Sequence, residues 1–130
     1  MIVVDNSVLV AALLDRGPLG KACAGRISGE RLAAPALIDI EAASAIRGLL
    51  LGRKVEFADA DRALRLLPSV PIQRAQHTEL LPRIWELRGN FTAYDAAYIA
   101  LAEHLAVPLV TGDAKLQRGS GAQCVIEVIS

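Results

Sequence analysis

Ile2-Val3-Val4-Asp5 and Pro108-Leu109-Val110-Thr111-Gly112-Asp113 are the two stretches that decide the fold. Each is a short apolar run that ends at or near an aspartate. Such runs read as strands buried on both faces, as in parallel sheets. In open parallel sheets, ligands bind beyond the carboxyl ends of the strands, near the switch in strand order. If the two strands are neighbours, both carboxylates point into one crevice.

Working outward, strands alternate with helical patterns. Ser7 to Leu14 reads as a short apolar helix stopped by Asp15-Arg16-Gly17-Pro18, and Leu19 to Ile27 as a second, closed by Gly29. Arg31 to Ala34 reads as a weak strand. Pro35 then opens a long helix from Ala36 to about Leu51, with Gly52 as its C-cap. Phe57 to Leu67 is a helix ended by Pro68, Val70 to Gln73 a strand, and Gln76 to Arg88 a helix that Pro82 shortens or kinks. A helix from Thr92 to about Leu105, a strand from Val107 to Thr111, a helical turn from Asp113 to Leu116 and a strand from Cys124 to Val128 complete the chain. The alternation indicates one α/β domain with a mostly parallel sheet.

The 130 residues suffice for one core. Hydrophobic residues make up 53%, which excludes a disordered chain, and with one Trp, two Tyr and two Phe that core is aliphatic. Cys23 and Cys124 have no metal-type spacing and read as reduced thiols of a cytosolic protein. No signal peptide is evident, and the run Val8 to Leu14 falls far short of the ~20 residues that span a bilayer. Formal net charge is zero, from 14 bases and 14 acids. Committing four acids to one metal site leaves ten against 14 bases, an excess of four positive charges elsewhere, which is compatible with a polyanionic substrate.

Four acids stand out. Asp5 and Asp113 end strands, though each also suits the N-cap of the helix that follows. Asp95 ends Thr92-Ala93-Tyr94-Asp95, which matches a capping box. The helix it enters is apolar nearly all round, from Ala96 to Ala102, so it is buried, and a carboxylate there needs partners. Glu41 lies inside the long helix with Leu37, Ser44, Ala45 and Gly48 on its face; the alternative for it is a buried ion pair with Arg47 or Arg53. Asp39 points about 160° away from Glu41 around the helix and suits the helix dipole instead. Carboxylates gathered together repel, and hard divalent cations with oxygen ligands resolve the conflict. Without His or Cys ligand spacing, the ion expected is Mg²⁺, with Mn²⁺ as substitute.

At these residues the chain resembles the PIN-domain ribonucleases, specifically the VapC-type toxins of toxin–antitoxin pairs. The matching stretches are Val4-Asp5-Asn6-Ser7-Val8-Leu9, Ile40-Glu41-Ala42-Ala43-Ser44-Ala45, Thr92 to Ala102 and Leu109 to Leu116, in order over essentially the whole chain. The resemblance implies a three-layer sandwich whose central parallel sheet has strand order 3-2-1-4-5. It also implies an endoribonuclease with catalytic Asp5, Glu41, Asp95 and Asp113, products with 3′-hydroxyl and 5′-phosphate ends, an antitoxin partner and a homodimer. Asp5, Asp95 and Asp113 would be metal ligands and Glu41 would orient or activate water. Thr111 fits the family's hydroxyl position, and Ser7 is a second supporting hydroxyl. The antitoxin groove would lie at Leu49-Leu50-Leu51 with Phe57, Ala60 and Leu64, residues that otherwise read as core.

Arg16, Lys21, Arg88, Lys115 and Arg118 are candidates for phosphate contacts, or else solvated surface charges. Gly52-Arg53-Lys54 reads as a helix end. His77 and His104 lie outside the motifs. Tyr94 and Tyr98 read as core packing or subunit contact. Two other classes compete. An aspartate phosphatase wants an Asp where Ser7 stands, and a receiver domain wants a Lys after the last strand and an acidic pair near the first. A non-catalytic PIN-fold binding protein is opposed by the complete acidic set.

Overall fold

The apolar runs form one five-stranded, all-parallel sheet. A computed structural model describes the whole chain, Met1–Ser130. In chain order the elements are β1 (Ile2–Val4), α1 (Asn6–Leu14), α2 (Pro18–Ile27), β2 (Leu32–Pro35), α3 (Ile38–Leu51), α4 (Phe57–Leu66), β3 (Ile72–Ala75), α5 (Leu81–Glu86), α6 (Ala93–Leu105), β4 (Leu109–Thr111), α7 (Ala114–Arg118) and β5 (Ile126–Val128). The strand order is β3-β2-β1-β4-β5, with seven helices around the sheet.

The three central strands are buried along their whole length, as strands covered by helices on both faces must be. Val3 and Val4 of β1 stand beside Leu109 and Val110 of β4. This register places Asp5 and Thr111 at the same end of the sheet, where strand order reverses. Helix α6 packs behind β1, β2 and β4 with Ala96 to Ala102 all buried. Its run of alanines lets the helix lie close to the sheet.

Several boundaries differ from the sequence expectation, and the clearest have local causes. Pro35 is the last residue of β2 and not the start of α3. A proline's fixed φ suits a strand end as well as a first helical turn. Strand β3 begins at Ile72 because Pro71 has no N–H to give the ladder. The segment Gln76–Arg88 breaks into a 3₁₀ turn, Thr78–Leu80, and the short α5, with Pro82 in its first turn. Gly52 does cap α3, but with φ −77; the left-handed residue is Arg53, at φ 57.

Asp39 is settled as a structural residue. Arg74 of β3 grips its carboxylate through two hydrogen bonds of 2.7 and 2.9 Å, tying α3 to the sheet edge. Between α1 and α2 the chain turns so tightly that a Cβ on Gly20 would collide with the Asp15 carbonyl oxygen. We therefore expect Gly20→Ala to cost about 1–3 kcal/mol, the usual range for overpacking against backbone, read as a lower urea midpoint with an unchanged slope.

Candidate metal centre

Asp5 sits where β1 becomes α1. It occupies the N-cap position, yet its side chain caps nothing. Its carboxylate is 6% exposed and is held from two sides. The Thr111 hydroxyl, fully buried at the end of β4, donates to Asp5 Oδ2 at 2.6 Å. The Ser7 hydroxyl donates to the same oxygen at 2.9 Å.

Backbone amides fix the direction of both bonds. The Asp113 N–H donates to Thr111 Oγ1 at 3.0 Å, and the Gly112 N–H donates to Ser7 Oγ at 2.9 Å. Each hydroxyl already accepts, so its own proton goes to Asp5. Oδ2 is thereby engaged twice, while Oδ1 has only a long 3.5 Å contact from the Asn6 amide group. Oδ1 therefore keeps lone pairs that no close protein donor engages. Gly112 approaches Ser7 so closely that a Cβ would press on its hydroxyl at 3.3 Å.

The other three acids come from three helices. Asp95 lies in the first turn of α6, and its amide donates to Thr92 Oγ1 at 3.1 Å. Only this half of the expected capping box forms, so the half-buried carboxylate remains available. Asp113 is the N-cap of α7 and accepts from the Lys115 amide through Oδ1 at 2.9 Å, leaving Oδ2. Glu41 of α3 is half-buried, and its Oε1 is buried with no hydrogen-bond partner. No arginine pairs with it, so the salt-bridge alternative does not hold.

Electrostatics ties the four together. Burial raises the Glu41 pKa above the usual carboxylate value; the neighbouring Tyr98 hydroxyl opposes it, and the charges of Asp5 and Asp95 add smaller upward pushes. Asp95 is raised by burial first, then by Asp5 and Asp113, with Thr92 opposing. The carboxylates thus converge within range of one another's charge. No three of them stand close enough, as placed, to coordinate one ion. The donors are all carboxylate or hydroxyl oxygens, and one is a buried orphan, so the set fits a hard divalent cation and not a soft one.

A cleft of about 890 Å³ begins at Asn6 and Ser7 and runs between α1 and α3 toward Arg16, Arg53 and Lys54. None of the four carboxylates lines it. Arg16 is engaged by Asp59 at 2.9 Å and Arg88 lies over Trp85 at 4.8 Å, while Lys21, Lys115 and Arg118 are exposed. His77 and His104 are both exposed. The two tyrosines part company: Tyr94 is exposed, and Tyr98 is fully buried beside Glu41. That second placement was missed from sequence, although Tyr98 follows Asp95 by one helical turn and so shares its face.

The model of the PIN domain matches residues 2–121. The chain belongs to the PIN domain family. Among its relatives, ribonuclease VapC9 of Mycobacterium tuberculosis is 43% identical over 129 residues, 99% of this chain and 98% of that one. Ribonuclease VapC1 of the same species is 37% identical over 98% of this chain and 96% of its own length. Among solved structures, the Rickettsia felis VapBC2 bound to a promoter DNA fragment aligns with a TM-score of 0.70 at 14% identity, covering both chains fully. At that identity the likeness concerns the fold alone; the strand order of this chain is the one the resemblance implied.

The raised acids carry a stability penalty in the metal-free PIN domain. An acid whose folded pKa lies above its unfolded value destabilises the fold once both states are ionised, and the penalty fades as pH falls through the folded value toward the unfolded one. Glu41→Gln and Asp95→Asn should therefore each raise the Tm of metal-free protein at pH 7, with the gain shrinking toward pH 4. Thermal denaturation in EDTA across that range checks the sign; a lower Tm at pH 7 for both variants contradicts it.

Proposed function

We propose that this PIN domain is an endoribonuclease of the VapC toxin type, whose site is Asp5, Glu41, Asp95 and Asp113 with Ser7 and Thr111 in support. One observation carries the reading: four carboxylates from four separate elements share one end of the sheet, and two of them, Glu41 and Asp95, are raised by burial first and by neighbouring acids besides. The near full-length likeness to ribonucleases VapC9 and VapC1 supports the same activity.

Asp5, Asp95 and Asp113 would hold Mg²⁺, with Mn²⁺ as substitute. When bound, such an ion supplies a lowered water pKa and charge neutralisation at the phosphate. The chain's own residues do the rest. Ser7 and Thr111 keep Asp5 Oδ2 engaged, which leaves Oδ1 as its oxygen for an ion. Glu41 orients the attacking water and takes its proton; the upward shift from burial makes it a better base than an exposed carboxylate. The water oxygen bonds to phosphorus as the bond from phosphorus to the 3′-oxygen breaks; that oxygen takes a proton from solvent, which yields a 3′-hydroxyl and a 5′-phosphate. The backbone around Gly112 and Asp113, locked by the two hydroxyls, limits movement of the acids during the step.

The partner would be an antitoxin. Leu51, Phe57 and Leu64 are exposed at 64, 67 and 45%, and form an apolar face on α3 and α4 that suits an amphipathic segment. Ala60 lies buried beneath them. A homodimer is part of the same proposal.

Purified protein should cut structured RNA with Mg²⁺ or Mn²⁺ and stop in EDTA. Asp5→Asn and Asp95→Asn should lower kcat by at least about 100-fold, the order expected for loss of a transition-state charge contact, with unchanged circular dichroism. Normal cutting by Asp95→Asn would falsify the site. Thr111→Val should reduce cutting less than Asp5→Asn, since it removes one of two donors to Oδ2. Its cost in stability should be about 1–3 kcal/mol, because the Asp113 amide loses its acceptor.

A further inference from the structure

Tyr98 is the one side chain of the buried α6 stretch that carries a hydroxyl into the core. At 1% exposure, that hydroxyl needs a partner within the protein. It lies beside the Glu41 carboxylate and the Asn6 backbone N–H. Neither contact reaches ordinary hydrogen-bond geometry, and Glu41 Oε1 is unpaired as well. An orphaned buried polar atom carries an uncompensated desolvation cost, and a bond between these two would relieve both.

The surrounding site repeats the same order of groups. Gly112 donates to Ser7, which donates to Asp5; Asp113 donates to Thr111, which donates to Asp5. In each, a backbone amide sets the direction of a hydroxyl that holds a carboxylate. Asn6, Tyr98 and Glu41 stand in that order too. The Asn6 amide belongs to the first turn of α1, where no side chain caps it.

We propose that Tyr98 is a positioning residue, whose hydroxyl, oriented by the Asn6 amide, donates to Glu41 and holds that carboxylate toward Asp5 and Asp95. The consequence for cleavage rests on the nuclease reading; the pairing itself does not. Tyr98→Phe keeps the ring and removes only the hydroxyl.

Two measurements test this. In ¹H NMR, the Tyr98 hydroxyl proton should appear as a slowly exchanging resonance, vanish in Tyr98→Phe and move in Glu41→Gln. In cleavage, Tyr98→Phe should lower kcat by about tenfold or more, leave KM and Mn²⁺ affinity within about twofold, and add nothing in the Glu41→Gln background. A missing hydroxyl resonance, one unmoved by Glu41→Gln, or a Tyr98→Phe effect undiminished in Glu41→Gln overturns the pairing. A purely packing role would instead lower Tm and metal affinity together. If wild-type protein cuts no RNA, the nuclease reading falls by itself, and the NMR comparison still decides the pair.

Discussion

The pairing of β1 with β4 is the constraint on which the site depends. Their register sets Asp5 against Thr111, and the 2.6 Å bond between these two buried side chains joins positions 106 residues apart. Every other part of the centre is placed relative to that bond. The turn after β4 supplies the amides of Gly112 and Asp113, and the turn after β1 supplies Ser7 and Asn6. The strands around it are apolar, and the Asp5 carboxylate buried at their end is held by the hydroxyls of Ser7 and Thr111.

This arrangement has an electrostatic cost. Glu41 and Asp95 are partly desolvated next to Asp5, and no arginine relieves them. Elsewhere the chain pairs its buried and half-buried acids: Asp39 with Arg74, Glu103 with Arg83, Glu127 with Arg26. The contrast locates function by what is left unpaired. Under the proposed function, stability is given up where a cation would be recruited, a common feature of binding sites.

Much of this was legible in the sequence. The buried strands and the all-apolar α6 follow from residue type and period, and Asp39 was separated from Glu41 by helix geometry alone. The ambiguous points share a cause: one residue type serves two local purposes. Asp5 and Asp113 each suit an N-cap, yet only Asp113 caps. Pro35 suits a helix start and a strand end equally. Tyr98 reads as packing because its partner lies on another helix. Ser7 acquires its role from an amide 105 residues away. Local pattern has no access to such pairings; the fold creates them.

Crystals soaked in Mn²⁺ and measured at the manganese absorption edge bear most directly on the centre. Anomalous density should lie within direct coordination distance of Asp5 Oδ1 and an oxygen of Asp95, with Asp5 Oδ2 still bonded to Ser7 and Thr111. Density confined to other surface acids, or none at saturating Mn²⁺, would mean that these carboxylates gather for a reason other than holding an ion.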